Sequence, residues 1–320
     1  MSAPAGGHLK GARVTVTGGA GFIGSHLVDA LVDLGARVCV LDSFLTGRRE
    51  NLAHLQDRID LVEGDIRDRD SCVRACRDAA VLFHQAAIGS VPRSMRDPAT
   101  TIDVNVAGTA MVLAVARDEG VRRVVYASSS SVYGDSETLP KREGEEGRPL
   151  SPYALSKVMN EQLADVYGRC FGMELVGLRY FNVYGPRQDP NGPYAAVVPR
   201  WIAAHRAGLP AVIFGDGSQS RDFTYVADAV RANLLAAGAP REACGRAFNV
   251  AGGRRTTLLE LARLIAAETG SVLDPLHEEA RAGDIPHSFA DHSRSRALLG
   301  YEPTTSLEDG LRPTVRAGGD

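Results

Sequence analysis

The amino-acid sequence predicts an α/β protein in which a doubly wound parallel β-sheet carries a smaller C-terminal α/β cap. Short β-branched segments alternate with helical patterns through the first half of the chain, and this alternation is typical of such a sheet. A glycine-rich turn joins the first strand directly to the first helix. The alternation ends at a loop rich in Gly, Pro and Asp, Gly185–Tyr194. We therefore expect a sheet domain over residues 1–180 and a cap made mainly from residues 181–320, with some segments returning to the sheet.

The elements of the sheet domain follow one another in a regular order. We predict strands at Arg13–Thr17, Ala36–Leu41, Ile59–Glu63, Ala80–His84, Arg122–Ala127 and Glu174–Arg179. The predicted helices are Phe22–Leu34, Asp68–Cys76, Pro98–Glu119 and Ser151–Phe171. In the cap we predict helices near Ala195–Ala207, Tyr225–Ala237, Thr257–Thr269 and Ser293–Leu299, and short strands at Ala211–Phe214 and Ala247–Val250.

Composition excludes several classes of function. A formal net charge of −3 on 320 residues predicts neither a nucleic-acid nor a membrane partner. The five cysteines include no Cys-x-x-Cys pair, which indicates a reducing, cytoplasmic location and no metal site. We expect no apolar run of membrane-spanning length, and the first ten residues lack the apolar stretch of a signal peptide.

The glycine-rich turn predicts a dinucleotide site. Strand Arg13–Thr17 leads directly into Gly18-Gly19-Ala20-Gly21-Phe22-Ile23-Gly24, which opens the first helix. Glycines at 18, 21 and 24 permit a tight turn, close approach of the backbone to a pyrophosphate, and close packing of helix on strand. The helix N-terminus adds free N–H groups and a partial positive charge. A glycine-rich turn between a strand and a helix is typical of a Rossmann-type domain.

An acidic residue at the end of the second strand favours NAD over NADP. Asp42 follows Gly24 by 18 residues, where a carboxylate can hold the ribose hydroxyls and would repel a 2′-phosphate. Arg48 and Arg49 lie close enough in sequence to bind that phosphate instead, so this alternative stays open. The residues that we expect beside the cofactor are Gly18, Gly21, Phe22, Ile23, Gly24, Asp42, Asp65, Ile66, Gln85, Ala86, Ala87, Ser128, Tyr153, Lys157 and Tyr180.

Tyr153 and Lys157 predict a redox site. Their spacing of four residues places both side chains on one face of a helix. A free tyrosine has a pKa of about 10 and is a poor base at neutral pH, but a lysine ammonium and a cationic nicotinamide would both favour its phenolate. A drop of about 3 pKa units needs about 4 kcal/mol of differential interaction. The alternative is an ordinary surface pair on a helix.

These features together resemble the extended short-chain dehydrogenases that act on nucleotide sugars, the NAD-dependent epimerase/dehydratase family. The resemblance covers nearly the whole chain, and its further carriers are Gln85-Ala86-Ala87, the serine run 128–131, the segment 179–186, Ser220-Arg221-Asp222-Phe223 and Arg281-Ala282-Gly283-Asp284. It implies that Tyr153 is the base, that Lys157 binds the nicotinamide ribose and tunes Tyr153, and that Ser129 assists the proton transfer. It also implies that Asn182 and Arg221 contact the UDP diphosphate, and that Arg281 and Asp284 approach the uridine ribose. For Arg221 and Arg281, the alternative role is an ordinary surface salt bridge.

The serine run predicts the reaction. Dehydratases of the family carry an Asp-Glu pair at the places of Ser130 and Ser131, and its decarboxylases carry a glutamate at the second of these places. Serine hydroxyls cannot do that acid–base work. The chemistry that remains needs one base and one hydride acceptor, which is epimerisation at carbon 4 through a 4-keto sugar.

The resemblance to 4-epimerases of UDP-N-acetylhexosamines rests on the segments 89–94, 188–197 and 284–288. Ser288 falls where epimerases limited to UDP-glucose and UDP-galactose carry a bulky tyrosine. Asp189 argues against UDP-glucuronate, which needs a cation, although Arg93 and Arg187 keep that substrate open. The remaining alternative is a non-catalytic NAD-binding regulator. The residues that we expect beside the substrate are Gly89, Ser90, Ser130, Ser131, Asn182, Gln188, Ala196, Val197, Arg221, Arg281, Asp284 and Ser288.

Two departures from relatives stand out: Pro286 precedes His287, and residues 311–320 lack the aromatic ending common among them. The resemblance also implies a homodimer, formed by pairing the helices Pro98–Glu119 and Ser151–Phe171 into a four-helix bundle. From the residues themselves, both helices carry apolar side chains on more than one face.

Overall fold

The computed structural model describes residues 5–191, 195–271, 274–280 and 285–317. Its centre is a seven-stranded parallel sheet. In spatial order the strands are β11 (Arg246–Val250), β6 (Glu174–Tyr180), β5 (Arg123–Ser129), β4 (Val81–His84), β1 (Arg13–Thr17), β2 (Arg37–Asp42) and β3 (Ile59–Glu63). The inner strands are buried on both faces; β4 and β5 are mostly apolar, while β1 alternates valine with the buried threonines Thr15 and Thr17.

Helices cover both faces of the sheet, as the doubly wound prediction requires. On one face lie α1 (Phe22–Asp33), α8 (Val226–Ala237) and α10 (Ser293–Leu299). On the other face lie α2 (Arg69–Cys76), α5 (Gly108–Asp118) and α6 (Pro152–Phe171). Because α8, α10 and β11 come from the second half of the chain, this half contributes to the sheet domain as well as to the cap.

The predicted helix Pro98–Glu119 is one helical segment with a π-helical turn inside it. It runs through α4 (Pro98–Ile102), the π turn Asp103–Ala107 and α5. Our expectation of no apolar run of membrane-spanning length was wrong for this segment, since Pro98–Asp118 is long and apolar enough to cross a membrane. Half of the apolar eighteen-residue stretch within this segment is buried, because the segment packs on α2 and α6. A core helix can reach the same composition in this way.

The cap has its own small core. Its helices are α7 (Val197–Arg206), α9 (Leu258–Thr269) and α11 (Leu307–Ala317), which bury Trp201, Ile265 and Leu311 together. Its short strands pair in twos: β7 (Val183–Tyr184) with β10 (Thr224–Tyr225), β8 (Val212–Phe214) with β13 (Leu276–Glu278), and β9 (Ser220–Asp222) with β12 (Arg255–Thr257). The cap follows β6 in the chain, so it meets the carboxyl edge of the sheet.

The strand order determines where a ligand can bind. The order reverses at β1, which lies between β2 and β4, and ligands of open α/β sheets bind outside the carboxyl ends of the strands at such a point. The predicted elements are confirmed to within two residues at either end. The prediction missed the helices α3 (Val91–Arg96) and α11 and most of the short strands of the cap.

Candidate active site

A cleft of about 600 Å³ lies at this carboxyl edge. It brings together most of the residues predicted from the sequence. The predicted residues that line it are Gly18, Gly21, Phe22, Ile23, Gly24, Asp42, Asp65, Ile66, Gln85, Ala86, Ala87, Gly89, Ser90, Ser128, Ser129, Tyr153, Lys157, Tyr180, Asn182, Gln188 and Ala196. Ser130, Ser131, Val197, Arg221 and Ser288 do not line it, and Arg281 and Asp284 lie outside the described residues.

The glycine-rich turn has no room for side chains. A Cβ added at Gly24 would stand 2.0 Å from the carbonyl oxygen of Gly18, and one added at Gly18 would stand 2.6 Å from the amide nitrogen of Ala86. Gly18 also has a φ of 70°, which favours glycine. The bare backbone at the N-terminus of α1 therefore fits a pyrophosphate, whose charge the helix end favours.

Asp42 ends β2 with its carboxylate held in place. One oxygen accepts from Ala20 N at 2.9 Å and the other from Phe44 N at 2.8 Å. Burial raises the pKa of Asp42, and these two backbone hydrogen bonds oppose the increase. A fixed acid at this place suits ribose hydroxyls better than a 2′-phosphate.

The two arginines that could bind a 2′-phosphate already have acidic partners. Arg48 Nη2 lies 2.8 Å from Asp189, and Arg49 Nη2 lies 2.7 Å from Glu63. The guanidinium of Arg49 also lies 4.0 Å from the centre of the Phe44 ring. Both arginines are thus engaged, and the preference for NAD stands.

A closed ring of hydrogen bonds fixes the wall near β4 and β6. Tyr180 donates to Gln85 Oε1 at 3.1 Å, Gln85 Nε2 donates to Asn233 Oδ1 at 3.0 Å, and Asn233 Nδ2 donates to the Tyr180 hydroxyl at 2.7 Å. Because each polar group has a partner in the ring, these side chains shape the wall. Asn233 comes from α8 and belongs to no motif that would mark it in the sequence.

Tyr153 and Lys157 stand on the first two turns of α6. Ser151 caps this helix by accepting from Ala154 N at 3.1 Å, and Pro152 occupies the first helical position. Lys157 is buried, and its Nζ donates to Ala127 O at 2.9 Å and lies 5.9 Å from the centre of the Tyr153 ring. Tyr153 and Lys157 thus share one face of the helix, as their spacing predicts.

Burial shifts the pKa of both groups toward the neutral form. It lowers the pKa of Lys157 to about 8, against the opposing charge of Glu161. It raises the pKa of Tyr153, while a hydrogen bond with the Ser129 side chain lowers it. The protein alone therefore holds the phenol protonated at neutral pH, so the phenolate depends on a nearby positive charge.

The serine run after β5 has distinct roles for its members. Ser129 Oγ accepts from Ser131 N at 3.1 Å and from Ser131 Oγ at 2.9 Å, which leaves its own proton to point elsewhere. Ser128 lines the cleft, and its Oγ donates to Glu161 at 2.5 Å, so its proton is engaged with α6. Ser130 and Ser131 lie outside the cleft wall, where we had expected contact with the substrate.

The predicted diphosphate residues come from two places. Asn182 lines the cleft with a φ of 35°, and its Nδ2 donates to Asp222 O at 3.0 Å. Arg221 extends along the cap, donating to Ser220 O at 3.0 Å and Pro286 O at 3.2 Å. Ser288 N donates to Ser220 O at 3.0 Å, so Ser288 and Arg221 share a corner of the cap.

A loop, residues 185–191, forms one wall of the cleft and is fastened to the sheet domain. Arg187 Nη2 lies 2.7 Å from Asp29, His26 Nε2 lies 2.9 Å from Pro186 O, and Asp189 pairs with Arg48. We call these three contacts the loop clasp. The partners of the loop clasp are more than a hundred residues apart and carry no shared motif, so nothing in the sequence predicts these contacts.

A buried histidine lies directly behind the cleft. His84 Nδ1 lies 2.7 Å from Thr17 Oγ1, and His84 Nε2 lies 2.9 Å from Thr109 Oγ1. Thr109 donates its own proton to Asn105 O at 2.6 Å, so its oxygen accepts from Nε2–H, and Nδ1 accepts from Thr17. Burial, together with the positive charge of Lys157, lowers the pKa of His84 to about 3.

Comparison with known proteins agrees with this geometry. The model of the NAD dependent epimerase/dehydratase family matches residues 14–251. The chain is 42% identical to a UDP-glucose 4-epimerase of Mycolicibacterium smegmatis, over 95% of this chain and 97% of the relative. A UDP-N-acetylglucosamine 4-epimerase of Methanobrevibacter ruminantium, solved with UDP-N-acetylmuramic acid, is 38% identical with a TM-score of 0.92, covering 97% of this chain and 98% of that one. A UDP-glucose 4-epimerase of Thermus thermophilus, solved with NAD, is 37% identical with a TM-score of 0.87, covering 95% and 98%.

The fold and the site define an enzyme of the short-chain dehydrogenase/reductase type that uses NAD. The chain belongs to the NAD-dependent epimerase/dehydratase family. The residues of the cleft fit the cofactor: the glycine-rich turn would hold its pyrophosphate, Asp42 its adenosine ribose, and Lys157 its nicotinamide ribose.

Proposed function

We propose that this enzyme interconverts UDP-N-acetylglucosamine and UDP-N-acetylgalactosamine by inverting carbon 4, with UDP-glucose and UDP-galactose as poorer substrates. At the coarser level, the chain is an NAD-dependent UDP-sugar 4-epimerase. The observation that carries the proposal is the site itself. Ser129, Tyr153 and Lys157 share the end of the NAD cleft, and serines stand at 130 and 131.

The reaction needs one proton relay and one hydride acceptor. Tyr153 takes the proton of the 4-hydroxyl, and the ammonium of Lys157 favours the phenolate that this step requires. Ser129, whose oxygen accepts from Ser131 and whose side chain is hydrogen-bonded with Tyr153, would share its proton between Tyr153 and the sugar oxygen. The glycine-rich turn, Asp42 and Lys157 would hold NAD, which would supply a reversible hydride acceptor for carbon 4. Inversion would require the 4-keto sugar to turn its other face to the cofactor before the hydride returns. Elimination or decarboxylation would need a carboxyl group at 130 or 131.

The preference for an N-acetyl sugar rests on the resemblance at position 288, where epimerases limited to UDP-glucose and UDP-galactose carry a bulky tyrosine and this chain has a serine. The backbone hydrogen bond from Ser288 to Ser220 holds this segment beside Arg221, the residue expected on the diphosphate. Neither Ser288 nor Arg221 lines the cleft that the structure describes, so it is the residue type at 288 that supports the preference.

One observation favours UDP-glucuronate as a second candidate substrate. Arg187 is paired with Asp29, but Arg93 lines the cleft and forms no salt bridge with any residue that the structure describes. A guanidinium in that place could bind a sugar carboxylate.

The proposal is tested with the purified enzyme and its bound NAD. It is incubated separately with UDP-N-acetylglucosamine, UDP-N-acetylgalactosamine, UDP-glucose, UDP-galactose and UDP-glucuronate, and the products are resolved by chromatography. We expect the fastest inversion for the two N-acetyl sugars. Faster inversion of UDP-glucuronate would replace the proposed substrate, and no inversion of any sugar would overturn the function and favour a regulator.

A matched pair of variants tests the role of Tyr153. Tyr153→Phe should retain NAD and lose epimerase activity, because it removes only the hydroxyl that moves the proton. Tyr167→Phe, on the same helix but outside the cleft, should leave both unchanged. Full activity in Tyr153→Phe would exclude Tyr153 as the base.

We also propose that two copies associate through the helical segment 98–118 and α6. Leu155 and Val166, both on α6, are each 42% exposed, and buried apolar area is the main driving force of stable association. Leu155→Arg should convert a dimer to a monomer in sedimentation experiments, whereas Leu209→Arg in the cap should not. A wild-type protein that sediments as a monomer would refute this arrangement.

A further inference from the structure

A cluster of charged side chains lies behind Lys157, on the side away from the cleft. Its centre is the guanidinium of Arg179, which is 5% exposed. Arg179 binds both oxygens of Glu161, at 2.9 and 2.7 Å, and its Nη1 also donates to Glu146 and to the Tyr133 hydroxyl. A fork-shaped pairing of this kind fixes the orientation of the carboxylate.

Glu161 connects this cluster to the active site through β5. Lys157 donates to Ala127 O at 2.9 Å, and the next residue of the strand, Ser128, donates to Glu161 at 2.5 Å. Lys157 and Glu161 are four residues apart, so they lie one turn from each other on the same face of α6. Two adjacent residues of β5 are thereby joined to two adjacent turns of α6.

The charges of the cluster and of the active site balance one another. The groups that face Lys157 are Tyr153 and Glu161 from α6, His84 from β4, Ser128 from β5, Arg179 from β6 behind Glu161, and Glu146 behind Arg179. His84 is neutral, so two cations stand against two carboxylates. A buried cation without a neighbouring anion would deprotonate, or its side chain would move out toward water.

We propose that Glu161 is a positioning residue, which Arg179 holds beside Lys157 so that the ammonium stays charged and stays on the Ala127 carbonyl. The inference rests on the proposed role of Lys157 in tuning Tyr153. Glu161 itself touches neither the substrate nor the cofactor, since it is absent from the cleft wall.

The pKa of Lys157 supports this assignment. Burial lowers it to about 8 although Glu161 acts to raise it. Loss of the Glu161 charge removes the opposing effect, so the pKa of Lys157 should fall below about 8 and the ammonium should deprotonate closer to neutral pH. Tyr153 would then lose its cationic neighbour in the pH range where the enzyme works.

The test compares the pH dependence of kcat in the NAD-bound enzyme and two variants. Glu161→Gln should move the alkaline limb of the profile down by about one pH unit, which is about a tenfold loss of activity above neutrality. Glu146→Gln is the matched control, because it removes the same charge from the other side of Arg179 and touches neither Ser128 nor Lys157. Its alkaline limb should stay in place.

Thermal unfolding and NAD content, measured on the same samples, separate positioning from stability. A purely structural role would lower both quantities in either variant and leave the alkaline limb unmoved, and that result would overturn the inference. If Glu161→Gln does not fold, Arg179→Lys provides the test, because it keeps the cation but loses the fork that orients Glu161. The limb should then move to lower pH, and an unmoved or raised limb would again overturn the inference. An inactive wild-type enzyme would instead refute the proposed function.

Discussion

Replacement of His84 by glutamine should remove a large part of the sensitivity of the enzyme to acid. His84 is buried at the carboxyl end of β4 with hydrogen bonds to Thr17 and Thr109, which fit only the neutral ring. Burial lowers its pKa from 6.5 to about 3. As the pH falls, the unfolded chain binds a proton at this histidine at a higher pH than the folded chain does. Acid therefore favours unfolding.

The sign and the size of the effect follow from this shift. The folded-state pKa lies below the unfolded value, so the contribution of His84 to stability is fully present above pH 6.5 and is lost as the pH falls toward 3. At about pH 5 the folded protein has lost about 2 kcal/mol, since each pH unit below the unfolded pKa costs about 1.4 kcal/mol. Near pH 3 the loss approaches about 5 kcal/mol.

The assay is denaturant unfolding at about pH 7.5 and about pH 5. His84→Gln should lower the free energy of unfolding at the higher pH because it disturbs the two hydrogen bonds, but its further decrease at the lower pH should be smaller than in the wild type by about 2 kcal/mol. His277→Gln changes an exposed ring and should keep the wild-type difference. An equal pH difference in His84→Gln and the wild type would refute the assignment.

Three further substitutions test other features. His205 is 6% exposed, and both its ring nitrogens lack hydrogen-bond partners among the described residues. His205→Leu should therefore raise the free energy of unfolding by about 1 kcal/mol or more. A lower free energy of unfolding, measured with denaturant, would contradict this. Gly24→Ala places a Cβ 2.0 Å from a backbone oxygen, so the purified protein should lack NAD by absorbance, whereas Gly168→Ala, with no contact closer than 3.6 Å, should retain it. Arg123→Met removes a buried guanidinium that pairs with partly exposed Glu174 and donates to the carbonyl oxygens of Ala236 and Ala239. It should lower stability by about 3 kcal/mol, and an unchanged melting temperature would show that these contacts are dispensable.

The fold was predictable because its signals are local. Strands of the sheet interior are short runs rich in β-branched and apolar residues, and the glycine-rich turn lies between a strand and a helix, so each could be recognised in a short window. The helix α3 has only six residues, too few for a periodic pattern. The helix α11 contains Pro313, and a proline inside a sequence predicts the end of a helix. The helix nevertheless forms, because its apolar face packs in the core of the cap.

The site was predictable where its chemistry lies on one element. Tyr153 and Lys157 face the cleft together because helix geometry alone places them there. Glu161 and Arg179 could not be paired in advance, since their contact depends on how α6 lies across β6. Ser128 shows the same limit, because its hydroxyl could face the cofactor or the helix and the choice depends on that packing.

Because the clasped loop forms one wall of the cleft, we expect retention of the cofactor to depend on ionic strength. Arg48 and Asp189 are each about half exposed, so dissolved ions screen their attraction, while Arg187 and Asp29 are more enclosed and keep theirs. Rising salt therefore loosens the outer fastening before the inner one. A purification that uses concentrated salt would be expected to yield enzyme that exchanges its dinucleotide faster than enzyme kept in dilute buffer.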